Sequence, residues 1–350
     1  MHCLISVVMR RWSAVFEEMQ TYKRQLLEPA AALGITRPSE LDATRGFLLV
    51  VDWDGERILG GLELDKPLGF LLEGDRLHVA LWGNDGVTTL AGSEVVARIH
   101  HPWFNHVHTL DRTPRGLLVS SSGTDLLAEV DADGTLLWEC FMFEREGADR
   151  RLRLGQQFSR ALDYNHRYIP AALTTHPNSA ILIDDQTVLA TLFSTGELCR
   201  VDRRSGRVDT IVSGLRRPHA IRRRAGGGYM LCDTEGGRVI LLSPELRHEG
   251  EVAVPTPWIQ DAVIAGERML VVGNRRIVMG PLKVAAGAAQ GDNCVIELRG
   301  GATSKRLNFG PENRIYMVEP IPASAAEALA HAWRGQPLDT EILRWESACA

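Results

Sequence analysis

The chain has 350 residues, 45% hydrophobic and 24% charged, a globular composition that excludes the disordered and fibrous classes and allows a large core. Its net charge of −5, with both signs interspersed, offers no basic face to neutralise phosphates, so nucleic acid is not an expected partner. No run approaches the roughly 20 apolar residues of a membrane span, so no membrane partner is expected either.

At the N-terminus an apolar stretch precedes Arg10 and Arg11, the reverse of the order in a secretory signal. The six cysteines, Cys3, Cys140, Cys199, Cys232, Cys294 and Cys349, lack C-x-x-C spacing, which together with the N-terminus predicts reduced thiols and a cytoplasmic location. Residues 4–33 read as a helix packed on the outside of the fold, because Val7, Val8, Trp12, Val15, Phe16, Met19, Leu26 and Leu27 recur at spacings of three and four before Pro29. This predicts an N-terminal helical extension over 1–45.

From Gly46 the period becomes that of short strands, Phe47–Val51, Arg57–Leu62, Leu68–Leu72 and Leu77–Leu81, separated by turns such as Asp54-Gly55 and Asn84-Asp85-Gly86. One pattern then recurs. Gly116–Ser120 and Leu127–Asp131 follow His108; Thr187–Thr191 and Leu198–Asp202 follow Asn178; Gly228–Cys232 and Arg238–Leu242 follow His219. Repeats of about 40 to 50 residues built from short strands predict an all-β fold, a β-propeller. The span 46–320 accommodates six blades of about 45 residues, with seven as the alternative. Arg314–Val318 is placed to pair with the first blade and close the ring. Over 321–350 a helical tail is expected, with Ser324 as N-cap and Trp333 in the helix.

Between Phe143 and Thr175 an arginine-rich insertion interrupts the repeat and leads into His176, so a lid over the channel is expected at about 144–175. Asp163, Tyr164, His166 and Tyr168 are its acid/base candidates, and Arg153, Arg160 and Arg167 its substrate-binding candidates.

Blade starts converge on the propeller axis, so histidines far apart in sequence become neighbours. Alignment of the repeats puts Leu68, His108, Asn178, His219 and Asp261 at one level, with His106 and His176 one step before. Imidazoles meeting from separate strands suit Zn, Fe or Cu, with His106, His108, His176 and His219 as ligands and Asn178 and Asp261 as substrate-binding groups. A metal-free catalytic cluster and a structural or ligand-binding channel are the other readings. No nucleotide cofactor is indicated.

The runs Asn105–Glu139 and His176–Arg207, with Pro218-His219-Ala220 and Tyr229–Asp233, resemble the bacterial arylsulfotransferase propellers, whose blades carry H-x-N-S and H-A starts. The resemblance covers about half of the chain. It implies sulfuryl transfer from an aryl sulfate to a phenol through a nucleophilic His219, with His108, His176 and Asn178 as companions. The family's sulfate-binding arginine has no counterpart in Ala190–Ser194, which leaves Arg153, Arg160 or Arg167 to replace it. Asp65–Leu81 and Arg217–Leu242 also resemble an uncharacterised family of bacterial six-bladed propellers. The expectation is an enzyme acting on a small organic molecule, aromatic or anionic, by metal-dependent lyase, isomerase, hydrolase or oxygenase chemistry. Metal-independent transfer and a non-enzymatic binding propeller are the alternatives.

Overall fold

Six antiparallel sheets form the six blades of a propeller in the computed structural model, which describes residues 1–26, 35–36, 39–83, 85–146, 154–275, 293–336 and 343–347. The inner strands are Arg314–Ile321, Pro67–Glu73, Val107–Thr113, Pro177–Asp184, His219–Arg223 and Ile259–Ala265, and each contacts the next around one axis. Apolar faces of neighbouring blades pack together, so the core is a ring of interblade clusters.

The closing blade corrects the N-terminal expectation. Its order from the axis outward is Arg314–Ile321, His2–Met9, Gly46–Asp52, Arg57–Leu64. His2–Met9 is thus a strand paired on both sides, and the helix begins only at Trp12, running to Leu26. Leu4, Ile5 and Val7 are fully buried, and each such side chain contributes roughly 1.5–3 kcal/mol that an exterior helix would forfeit. A strand covered on both faces has a continuous apolar run, and short runs of this kind are ambiguous with a helix face. The expected pairing of Arg314–Val318 with the N-terminal blade does form, and N- and C-terminal strands share one sheet.

The C-terminal helix is Ala323–Ala332; Pro322 stands at its N-cap without a side-chain bond, and Ser324 falls inside the first turn. Trp333, just past its end, is buried with Leu329 and donates through Nε1 to the Gly92 carbonyl at 3.1 Å. Beyond the helix, Arg344–Ser347 is a strand, added to the outside of the sixth blade. Among the described residues the cysteines are free thiols, and no helix is long and apolar enough to cross a membrane.

Candidate functional site

A repeated turn brings the histidines together. Lys66, His106, His176 and Arg217 all have left-handed backbones, with φ of 57°, 55°, 59° and 57°, two residues ahead of Leu68, His108, Asn178 and His219. Such a conformation costs a non-glycine residue about 1 kcal/mol or more, so it needs anchoring. At His106 and His176 carboxylates from the preceding blades supply it. Asp85 accepts the His106 N–H at 2.8 Å and the His166 N–H at 2.6 Å. Asp125 accepts the N–H groups of Thr175 and His176 at 2.9 and 2.8 Å and the Thr175 hydroxyl at 3.0 Å. Burial pushes the Asp125 carboxyl up to about 6 against these bonds. Neither aspartate stands out in the sequence; the available signal is one acidic residue in the same polar link of two consecutive repeats.

Immediately after the turn the ladder register slips at His108, between Val107 and Thr109, and at Asn178, between Pro177 and Ser179. Bulges of this kind re-aim a side chain. The ligand nitrogens of His106, His108 and His176 lie within 4.8 Å of one another, although the residues span 70 positions of the chain (176 − 106). Ring centroids are 4.0 Å apart for His106 and His108 and 5.0 Å apart for His108 and His176. His106 also stacks on Trp82 at 4.0 Å.

Hydrogen bonding fixes two tautomers. His108 Nδ1 lies 2.9 Å from both the His106 carbonyl and Ser122 Oγ, and Ser122 spends its own proton on the Pro177 carbonyl at 2.8 Å. Both neighbours of Nδ1 can therefore only accept, so Nδ1 carries the proton and Nε2 presents a lone pair. His219 repeats the arrangement: Nδ1 faces the Arg217 carbonyl at 3.0 Å and Thr234 Oγ1 at 2.8 Å, and Thr234 donates to the Ile259 carbonyl at 2.7 Å. Such partners are what orient a metal-binding or basic imidazole.

Burial lowers the His108 pKa to about 4. It also lowers His176 and His219 well below the usual histidine value, helped for His176 by His108 and His219, and for His219 by His108, Arg314 and Arg217. Neutral imidazoles at pH 7 follow. His219 stands just outside the trio, with Phe193 between it and His176 at 5.3 Å from each ring.

A cavity of about 360 Å³ opens above His106 and His176, walled on one side by the helix Trp12–Leu26 through Trp12, Phe16 and Met19. Of the expected lid, Tyr168 to Ala172 reach this cavity, and its other described residues do not line it. The Tyr164 phenol is buried, stacks on Phe158 at 4.9 Å and accepts the Ser159 N–H at 2.8 Å. Asp163 is exposed and accepts the Asn165 N–H; the His166 ring is exposed. Arg160 pairs with Glu139 and Glu144 at 3.1 and 3.0 Å, and Arg167 lies over the Tyr164 ring at 5.8 Å. The segment is fastened to its blade, since Asn105 Nδ2 donates to the carbonyls of Tyr164 and Arg167 at 2.7 and 2.9 Å. Arg153 lies outside the described residues.

Asn178 is buried beside the axis, its Oδ1 accepting from Thr191 at 3.0 Å and its Nδ2 meeting no partner among the described residues. Asp261 does not join the histidines. A register slip between Ile259 and Asp261 gives Gln260 the place equivalent to His108, and Asp261 turns to Arg222, with Oδ1 to Nε at 2.8 Å and Oδ2 to Nη2 at 2.6 Å. That ion pair borders a second cavity, which also takes in the far ends of the inner strands. Sequence reasoning also missed Trp82, Phe193, Trp258, Arg217 and Arg314, which line the histidine cavity from the turns and from the closing strand.

No family model and no curated protein matches the chain. Solved structures do. A protein of unknown function from Bacteroides caccae is similar with a TM-score of 0.55 at 13% identity, over 90% of this chain and 97% of that one. A chain of a nidogen/laminin complex is similar at 0.54 and 9% identity, over 91% and 97%. Virginiamycin B lyase from Staphylococcus aureus is similar at 0.47 and 12% identity, over 82% and 84%, a level that carries no argument. At these identities the likeness shows the fold alone, a six-bladed β-propeller, with a cluster of three histidines at one end of its axis.

Proposed function

We propose that the histidine end of the channel is the active site of an enzyme acting on a small organic molecule, with a divalent metal held by His106, His108 and His176. The observation that carries this reading is the approach of their ligand nitrogens to within 4.8 Å, with His108 and His176 buried and held neutral and His106 half-buried beside them. The donor set suits Zn, Fe or Cu. A metal held by three imidazoles with an open position polarises a carbonyl or activates water. Around it, Ser122 and the His106 carbonyl orient the His108 ring, Asp125 holds the backbone of His176, and aromatic side chains wall the cavity. Elemental analysis of protein purified without a metal-affinity tag tests the reading; about one metal per chain is expected, and a content far below one with failure to rebind Zn, Fe and Cu would sink it.

The low pKa of His108 gives a pH signature. An ordinary histidine, with a pKa near 6.5, loses about 30-fold in available lone pair between neutral pH and pH 5. With a value of about 4, His108 keeps its lone pair at pH 5. His176 is lowered in the same direction, so Co(II) affinity is expected to fall between pH 7.5 and 5 by no more than one ordinary histidine accounts for, about 30-fold. A fall of several hundredfold by pH 5 would show that the imidazoles titrate normally.

One observation favours a second reading, metal-independent group transfer of the arylsulfotransferase kind. His219 lies outside the trio with Nδ1 held so that Nε2 presents the lone pair, and Arg217 and Arg314 are close enough to depress its pKa. Attack of Nε2 on the sulfur of an aryl sulfate would expel the aryl oxide and leave a sulfuryl group on His219. Intact-mass measurement with a panel of aryl sulfates decides it: a labile adduct lost in His219→Ala supports transfer, and its absence counts against it.

A further inference from the structure

The residues lining the histidine cavity include Lys23, Arg217 and Arg314, and among the described ones there is no aspartate or glutamate. Arg314 is the least compensated. Its guanidinium lies over the rings of Trp12 and Trp258 at 4.7 and 5.2 Å, and among the described residues it has no ion pair or side-chain hydrogen bond. Arg217 shares Trp258 at 5.9 Å and covers Phe193 at 5.4 Å, while one of its amino groups reaches Glu235 at 3.3 Å. Two guanidinium planes thus stand over the same indole, on the side of the cavity next to His219.

An aromatic face returns less to a desolvated cation than a charged hydrogen-bonding partner supplies. Burial lowers the Arg314 pKa only to about 10, so the cation persists at pH 7. Positive charge, forked donors and flat apolar walls in one small cavity define a complementary ligand: a planar body bearing an oxyanion.

We propose that Arg217 and Arg314 form an anion-binding subsite that holds the head group of a planar organic oxyanion, either a carboxylate or a sulfate ester, whose apolar body fills the tryptophan-lined remainder of the cavity. This rests on the reading of the cavity as a substrate site but not on the metal. With the head group over Trp258, the body of the ligand extends toward His106 and His176, so the subsite orients the substrate against the histidines.

The test uses full-length protein stripped with EDTA, with binding followed by calorimetry and tryptophan fluorescence. The probes are 2-naphthoate, 2-naphthyl sulfate and the neutral 2-naphthalenemethanol. At least one anion is expected to bind about tenfold or more tightly than the neutral probe, and the tighter anion identifies the head group. Arg314→Gln and Arg217→Gln are each expected to weaken that anion about tenfold while leaving the neutral probe unchanged, and Arg314→Lys to retain part of the preference. If Arg314→Gln fails to fold, the Arg217→Gln comparison and the probe series on the unaltered protein still decide. Equal affinity for neutral and anionic probes, or unchanged anion affinity in the folded variants, overturns the subsite. Because the protein is metal-free, anion binding without later metal uptake would defeat the metal reading alone, and metal uptake without anion binding would defeat this inference alone.

Discussion

His108→Ala is expected to lower metal affinity by well over 100-fold while the propeller stays folded. Loss of a partner that merely orients a ligand costs about 10- to 100-fold, and removal of the ligand itself costs more. The fold should tolerate the change because Ser122 keeps its bond to the Pro177 carbonyl, so no buried hydroxyl is orphaned. Ser122→Ala removes one of the two acceptors that orient the ring, leaving the His106 carbonyl, and is expected to cost about 10-fold. Metal content and affinity, with circular dichroism as a check on folding, read both variants. Unchanged affinity in folded His108→Ala would show that His108 is not a ligand.

At the other end of the axis the expected effect is on stability. Arg222 is half-buried, holds the buried Asp261 with two hydrogen bonds, pairs with Glu319 and donates to the Val318 carbonyl at 3.1 Å. It thereby ties the fifth and sixth blades to the closing strand. Arg222→Leu strands the Asp261 carboxylate in the interior, and breaking such a pair costs roughly 3–5 kcal/mol. Removing both charges in Arg222→Leu/Asp261→Leu should cost less than the single change, because the unpaired charge is the main penalty. Urea denaturation measures both, and metal affinity should be untouched. A loss below about 1 kcal/mol in the single variant would contradict the assignment of this pair as a blade tie.

The blades were legible because strand periodicity and hairpin turns are local properties, and blade starts recur at about 40 residues wherever no insertion intervenes, as from Leu68 to His108 and from Asn178 to His219 to Asp261. His106, His108 and His176 were legible for the same reason: repeat-equivalent positions become neighbours on closure, and the structure brings these three together. What failed was what depends on more than spacing. His2–Met9 acquires its role only when the C-terminal strand arrives beside it, some 310 residues later. A one-residue slip exchanges Asp261 for Gln260, and a bulge leaves little trace in composition. Arg217 reads as a turn residue and Arg314 as the start of an apolar strand; their convergence over Trp258 comes from ring closure. The insertion looked like a lid because it is polar and long, yet Tyr164 is held in a small aromatic core and Asn105 grips the backbone around it.

The most direct test of a three-histidine metal centre is a crystal structure of the protein soaked in Zn(II), with data collected on both sides of the zinc absorption edge. A single anomalous peak about 2.0–2.1 Å from nitrogens of His106, His108 and His176 is predicted. Bound zinc located elsewhere, with water or direct hydrogen bonds linking the three imidazoles, would contradict it.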